Sequence, residues 1–188
     1  MHRSKKFMTI AGLALLGLSA CQSSPCDLSG TGNQSVAASQ MLTCVGSLQP
    51  TPIAQMPTSG TATYNGYVSG QFAPTAVSTD NIIGDAVLIA NFGGAGSVTG
   101  TLNNFNSTQQ GNLSGTLNLT SGAITGNTVN VSIAGTLTGS ANSVTFATAG
   151  GGGFFGKNAA GFLAGTTGTA ITGGFTDPSA GLTVFAHQ

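Results

Sequence analysis

Charged side chains are nearly missing from this chain: Lys and Arg together number four, and Asp and Glu together four, in 188 residues. Arg3, Lys5 and Lys6 sit in the first six residues, so Lys157 is the only base beyond them, set against Asp27, Asp80, Asp85 and Asp177. Nucleic-acid binding requires a basic footprint that neutralises phosphates, and one lysine cannot supply it. Histidine is as scarce, with His187 the only one outside the N-terminal six residues. Catalytic triads, His-based metal sites and His acid–base pairs therefore lack material. Asp80 and Asp85 form the one nearby carboxylate pair. Glycosidase-like chemistry needs two carboxylates held at a set separation in a cleft. Asp80 falls in a polar turn and Asp85 at the start of a strand, so both are expected to be solvated. No catalytic residue, metal ligand or cofactor is assigned, and the chain is not expected to be an enzyme.

The N-terminus carries what the rest lacks. A basic start is followed by an apolar stretch from Phe7 to Leu18 and then by small residues before a cysteine. The stretch is shorter than the about 20 apolar residues needed to span a bilayer, which marks residues 1–20 as a secretory signal. Leu18-Ser19-Ala20-Cys21 resembles the lipobox of bacterial lipoproteins, in which the cysteine thiol takes a diacylglycerol before the signal is cut. Lipidation is therefore assigned to Cys21, whose diacylglycerol and palmitate-type acyl chains would make a lasting tether, since one chain binds membranes marginally and two or more bind stably. By resemblance to known lipoproteins, Gln22 after that cysteine favours the outer membrane.

Cys26 and Cys44 remain as an even pair in an exported chain, which predicts a disulfide, two free thiols being the other reading. Residues 21–59 are rich in Ser, Thr, Gln and Pro, and Gln49-Pro50-Thr51-Pro52 and Met56-Pro57 interrupt regular structure. This segment reads as a lipidated, disordered tether clasped by the disulfide, holding the folded part off the lipid surface without a core of its own.

Residues 60–188 change to a period of two. Leu113, Gly115, Leu117 and Leu119 fall on one face of a strand, and Ser114, Thr116, Asn118 and Thr120 on the other. Val98 to Asn103 and Val129 to Thr138 repeat the pattern, as do Tyr64 to Phe72, Ala86 to Phe92 and Ile171 to Phe175. Turn signals such as Gly93-Gly94, Thr125-Gly126-Asn127 and Thr176-Asp177-Pro178 separate the runs. About eight short strands without charged gatekeepers suggest a small antiparallel up-and-down β-barrel, because closure removes sheet edges. Inward glycines would let backbone or a bulky ring approach closely in a narrow barrel. Alternation alone does not say which face is inside. Strands mostly shorter than the ~9–11 residues of a membrane-spanning strand, the absence of tryptophan, and only Tyr64 and Tyr67 to make two aromatic girdles favour a soluble barrel.

Two motifs are decoys. Gly151 to Asn158 approaches a phosphate-binding loop, but Asn158 replaces the hydroxyl residue that would hold magnesium, and a glycine-rich run follows where a helix should start. The N-x-[ST] triplets at Asn106 and Asn118 follow from composition.

Gly153-Phe154-Phe155-Gly156-Lys157-Asn158-Ala159-Ala160-Gly161-Phe162-Leu163-Ala164-Gly165 resembles the late hairpin of the β-barrel domains in transferrin-binding protein B and related bacterial surface lipoproteins. Ala180 to Ala186 is similar to the last strand of that family, where a Val-Phe pair closes the barrel. Tyr64 to Gly70 and Ala90 to Gly93 extend the resemblance over most of residues 61–186. Asn158 and Gly161 depart from the family's usual proline and glutamate, and the chain has room for one barrel and no sizeable handle, which puts transferrin itself in doubt as ligand. The resemblance implies a non-enzymatic binding lipoprotein of the outer membrane, at the cell surface or facing the periplasm, for a protein or a small iron-bearing ligand. An accessory envelope lipoprotein without a soluble ligand is the alternative. Phe154, Phe155, Phe162, Phe175 and Phe185 are expected in the barrel core, and Lys157 at an exposed turn.

Overall fold

The computed structural model describes residue 26 and residues 33–188. The signal segment and Cys21 lie outside the described residues. Eight antiparallel strands run in chain order: β1 (Thr61–Thr75), β2 (Ser78–Asn91), β3 (Ser97–Ser107), β4 (Gly111–Ser121), β5 (Thr128–Thr138), β6 (Ser143–Phe155), β7 (Gly161–Thr172) and β8 (Phe175–His187). Each pairs with the next, and β8 returns to β1 through partners such as Tyr67 and Phe185, so the sheet is a closed up-and-down barrel.

The strands hold 11 to 15 residues. They are longer than the sequence reading allowed, because each continues past its alternating run into turn residues that still pair. Strand length therefore does not argue against a membrane barrel. The direction of the side chains does: Val68, Leu88, Leu102, Leu117, Ile133 and Val184 are fully buried inside, whereas Thr101, Thr116, Asn118 and Thr136 face out and are exposed. A membrane barrel has the opposite arrangement.

Aromatic rings plug both ends of the interior. Phe72 and Phe146 meet edge-on at 5.4 Å. At the other end Phe154 lies 5.4 Å from both Phe92 and Phe162, and the Tyr64 hydroxyl donates to the Ala159 carbonyl at 2.6 Å. Inward glycines make room for this packing. A Cβ at Gly84 would sit 2.7 Å from the Phe105 ring, so a side chain there would expel it.

The segment between Asn33 and Thr61 differs from the expected tether. Gln34–Ser47 forms a helix, α1, begun by the Asn33 side chain, which accepts from the Ser35 N–H at 3.0 Å. Ala37, Ala38, Met41 and Val45 line its buried face, and Ala38, Met41 and Val45 pack on Phe185, with Tyr67, Ile83 and Leu163 around them. The outer wall of the barrel is apolar on this side, and the helix covers it. Cys26, buried in the same cluster, is joined to Cys44 by a disulfide with Cα atoms 5.7 Å apart. Further on, Thr51 is wholly buried: its N–H donates to the Phe154 carbonyl at 2.9 Å and its hydroxyl to the Gly156 carbonyl at 2.7 Å. The prolines around it stop regular structure without stopping the chain from packing onto the barrel end.

Candidate functional site

With the interior filled by side chains, surface for recognition is on the outer wall. Strand register lays a belt of outward residues across six neighbouring strands: Asn130, Gly151, Gly165, Thr183, Ser69 and Ile83 are successive cross-strand partners from β5 through β8 and β1 to β2. The next row toward the N-terminal end of β1 contains Leu163, Phe185 and Tyr67, which lie beneath α1. The belt therefore begins at the foot of the helix and continues round the barrel beyond it.

Two depressions occupy this belt. One, of about 750 Å³, is lined by Ser35 of α1 with Ser69, Gln71, Asn81, Thr167 and Thr183. The other, of about 610 Å³, is lined by Pro50, Asn130, Gly151, Phe155 and Leu163, and both include Gly165. A Cβ added at Gly151 or Gly165 would meet nothing within 4 Å, and neither residue has a left-handed φ. Bare backbone forms the floor here although the fold would accept a side chain. Hydroxyls and carboxamides share the walls with apolar groups such as Ile83, Leu182 and Phe155, with no charged residue among them.

The carboxylates sit elsewhere and apart. Asp80 is fully buried, contrary to the solvated position expected, and accepts from the Ser107 hydroxyl at 2.6 Å, the Thr108 hydroxyl at 2.9 Å and the Gln109 N–H at 3.2 Å. It pins the β3–β4 turn to β2. Asp85 accepts from the Gln34 side chain and from Asn104 Nδ2, each at 2.7 Å. Five residues apart on one strand, the two carboxylates leave opposite faces of the sheet, so they cannot share a substrate. At Asp177 burial pushes the carboxyl up, but donation from the Ala73 and Ser179 N–H groups and the Ser179 hydroxyl outweighs it and holds the group below the usual range. Burial, reinforced by Asp85, raises Tyr67. Among the described residues no group of three or more His, Cys, Asp or Glu is placed to hold a metal ion.

The near-phosphate-loop sequence is the end of β6 and a tight turn, with Asn158 at φ 55°. Phe154 and Phe162 are core residues, as read, and Lys157 is exposed. Phe185 is buried outside the barrel under α1 and Phe155 is half-buried, because both point away from the interior, whereas Phe175 pairs with the inward Thr172 and is half-buried at the start of β8. The helix was missed because Ser, Thr and Gln dilute its apolar spacing. Ala37, Met41 and Val45 behind an Asn cap were the available signal.

No protein-family model matches the chain, and no curated protein does. Among solved structures, the barrel is similar to the vaccine antigen transferrin-binding protein B of Haemophilus parasuis Hp5. A mutant of that protein aligns at 18% identity with a TM-score of 0.49, covering 74% of this chain and 28% of the other. The chain thus spans under a third of that protein's length.

Proposed function

We propose that this chain is an outer-membrane lipoprotein, lipidated at Cys21, whose barrel binds a protein ligand along the glycine-floored belt of its outer wall without catalysis. The observation that carries the reading is the pair of depressions meeting at Gly165 on a barrel whose interior is filled. Exposed backbone at Gly151 and Gly165 lets a partner approach closely, and the uncharged amides and hydroxyls around it supply hydrogen bonds. A small iron-bearing ligand would meet the same wall, bringing its iron already chelated.

The test immobilises the full mature chain carrying Cys21→Ser and compares it with Gly151→Gln and Gly165→Gln forms of equal thermal stability. A partner held by the first and lost from the other two supports the site; equal capture by all three refutes it. Radiolabelled palmitate entering the wild type but not Cys21→Ser tests the anchor. Protease shaving of intact cells reports display. A second reading, an accessory envelope lipoprotein, is favoured by Val87 and Ile89, exposed at 42% and 49% on the same face of β2. Recovery of envelope proteins only, lost on Val87→Thr/Ile89→Thr, would support it.

A further inference from the structure

We infer that the wall of the barrel covered by α1 faces the bilayer and rests close against it. The inference builds on lipidation at Cys21. Only Gln22, Ser23, Ser24 and Pro25 separate Cys21 from Cys26. Five Cα-to-Cα steps reach at most about 19 Å.

Cys26 is no loose end. It is 2% exposed, packed in one cluster with Met41, Val45 and Phe185, and bonded to Cys44 of the helix. It lies seven positions ahead of Asn33, the residue that caps α1. Cys26 therefore fixes the point on the α1 wall from which the lipid's reach is counted.

That length selects a side. Eight tilted strands spaced about 4.8 Å apart enclose a backbone cylinder roughly 16 Å across, and a packed helix adds a layer of about 10 Å. A lipid bonded within about 19 Å of the helix cannot reach round to a bilayer lying against β4 and β5. The chemistry of the near wall agrees. The sequence Gln34–Ser47 carries no charge, Val36 and Leu42 are its exposed apolar residues, and Asp85 is already engaged by Gln34 and Asn104. Nothing on the helix repels an anionic headgroup. The depression at Asn130 and Gly151 lies on β5 to β7, further round the barrel than the Ser35-lined one beside the helix, and is the part of the belt a ligand would approach.

The test uses the full lipidated chain in phosphatidylethanolamine–phosphatidylglycerol vesicles containing an acceptor-labelled lipid. A donor dye is placed on Leu42→Cys in α1 or on Thr116→Cys in the outward row of β4, after the native disulfide has formed. Energy transfer from position 42 should exceed that from position 116 at least about twofold, given the separation of the two walls. The difference should shrink in the Cys26→Ser/Cys44→Ser form. Equal transfer from both positions, with the disulfide intact and diacylglycerol on Cys21 by mass, overturns the inference while leaving the lipoprotein reading in place. Absence of lipid mass on Cys21 overturns the lipoprotein reading, and the inference with it.

Discussion

Gln34 Nε2 lies 2.7 Å from Asp85 Oδ1, tying the first residue of α1 to the middle of β2 across 51 positions of sequence. The same amide reaches the Asn104 carbonyl at 3.2 Å, and Asn104 donates back to the other Asp85 oxygen. Asn104 can do so because it stands at φ 53° in a bulge of β3, between the Leu102 and Phe105 partners. One carboxylate thus fastens the helix and the bulge together.

Gln34→Ala should cost about 1.5–3 kcal/mol, the worth of a hydrogen bond to a charged group, and loosen α1 more than the barrel. Amide exchange should rise across Gln34–Ser47 while β4 to β6 keep their protection. Uniform loss of protection would show that helix and barrel unfold as one unit.

Glycines of the same strand should divide sharply. Gly165→Thr places a side chain in open space and should leave stability unchanged or raise it by about 0.5–1 kcal/mol, since a strand interior disfavours glycine. Gly168→Ala drives a Cβ into the backbone of Ala147 and Thr148 and should destabilise by about 1–3 kcal/mol. Urea midpoints of the two variants are the measurement.

Asp80→Ala strands the Ser107 and Thr108 hydroxyls and the Gln109 N–H at a buried turn, and should cost about 2–3 kcal/mol. Asp80→Asn keeps an acceptor and should cost less. Thermal melts rank the pair, and an alanine variant as stable as wild type would contradict the role given to this carboxylate.

Burial pushes the Tyr64 hydroxyl up to about 12, the Gln188 amide acting weakly the other way. The unfolded chain loses this proton near pH 10 while the folded chain keeps it. Stability is therefore fully present below about pH 10 and falls between about pH 10 and pH 12, by about 2–3 kcal/mol. Tyr64→Phe should be less stable at pH 7, lacking the bonds to Ala159 and Gln188, yet should flatten that alkaline slope. Denaturant titrations at pH 9, 10 and 11 would show it.

The barrel was legible because alternation is a local property. Leu113 to Thr120 and Val129 to Thr138 show which residues share a face, and the turn residues between runs set an antiparallel order. The fate of Asp80 was not legible, because its partners at residues 107–109 arrive only when β3 returns beside β2. The belt at Gly151 and Gly165 was likewise hidden. Glycine reads as flexibility along the chain, and only register turns it into the floor of a trough.

By itself the sequence determined the alternating strands and their order, because both depend on residues close together along the chain. Tertiary structure alone decided that the apolar face turns inward and that a Ser- and Thr-rich stretch coils into a helix on Phe185 and Tyr67. It also decided that Cys26, bonded to Cys44, sits fixed against the barrel. These follow from contacts between separate segments of the chain, such as α1 with Phe185, whose free energy of burial exists only once the barrel has closed.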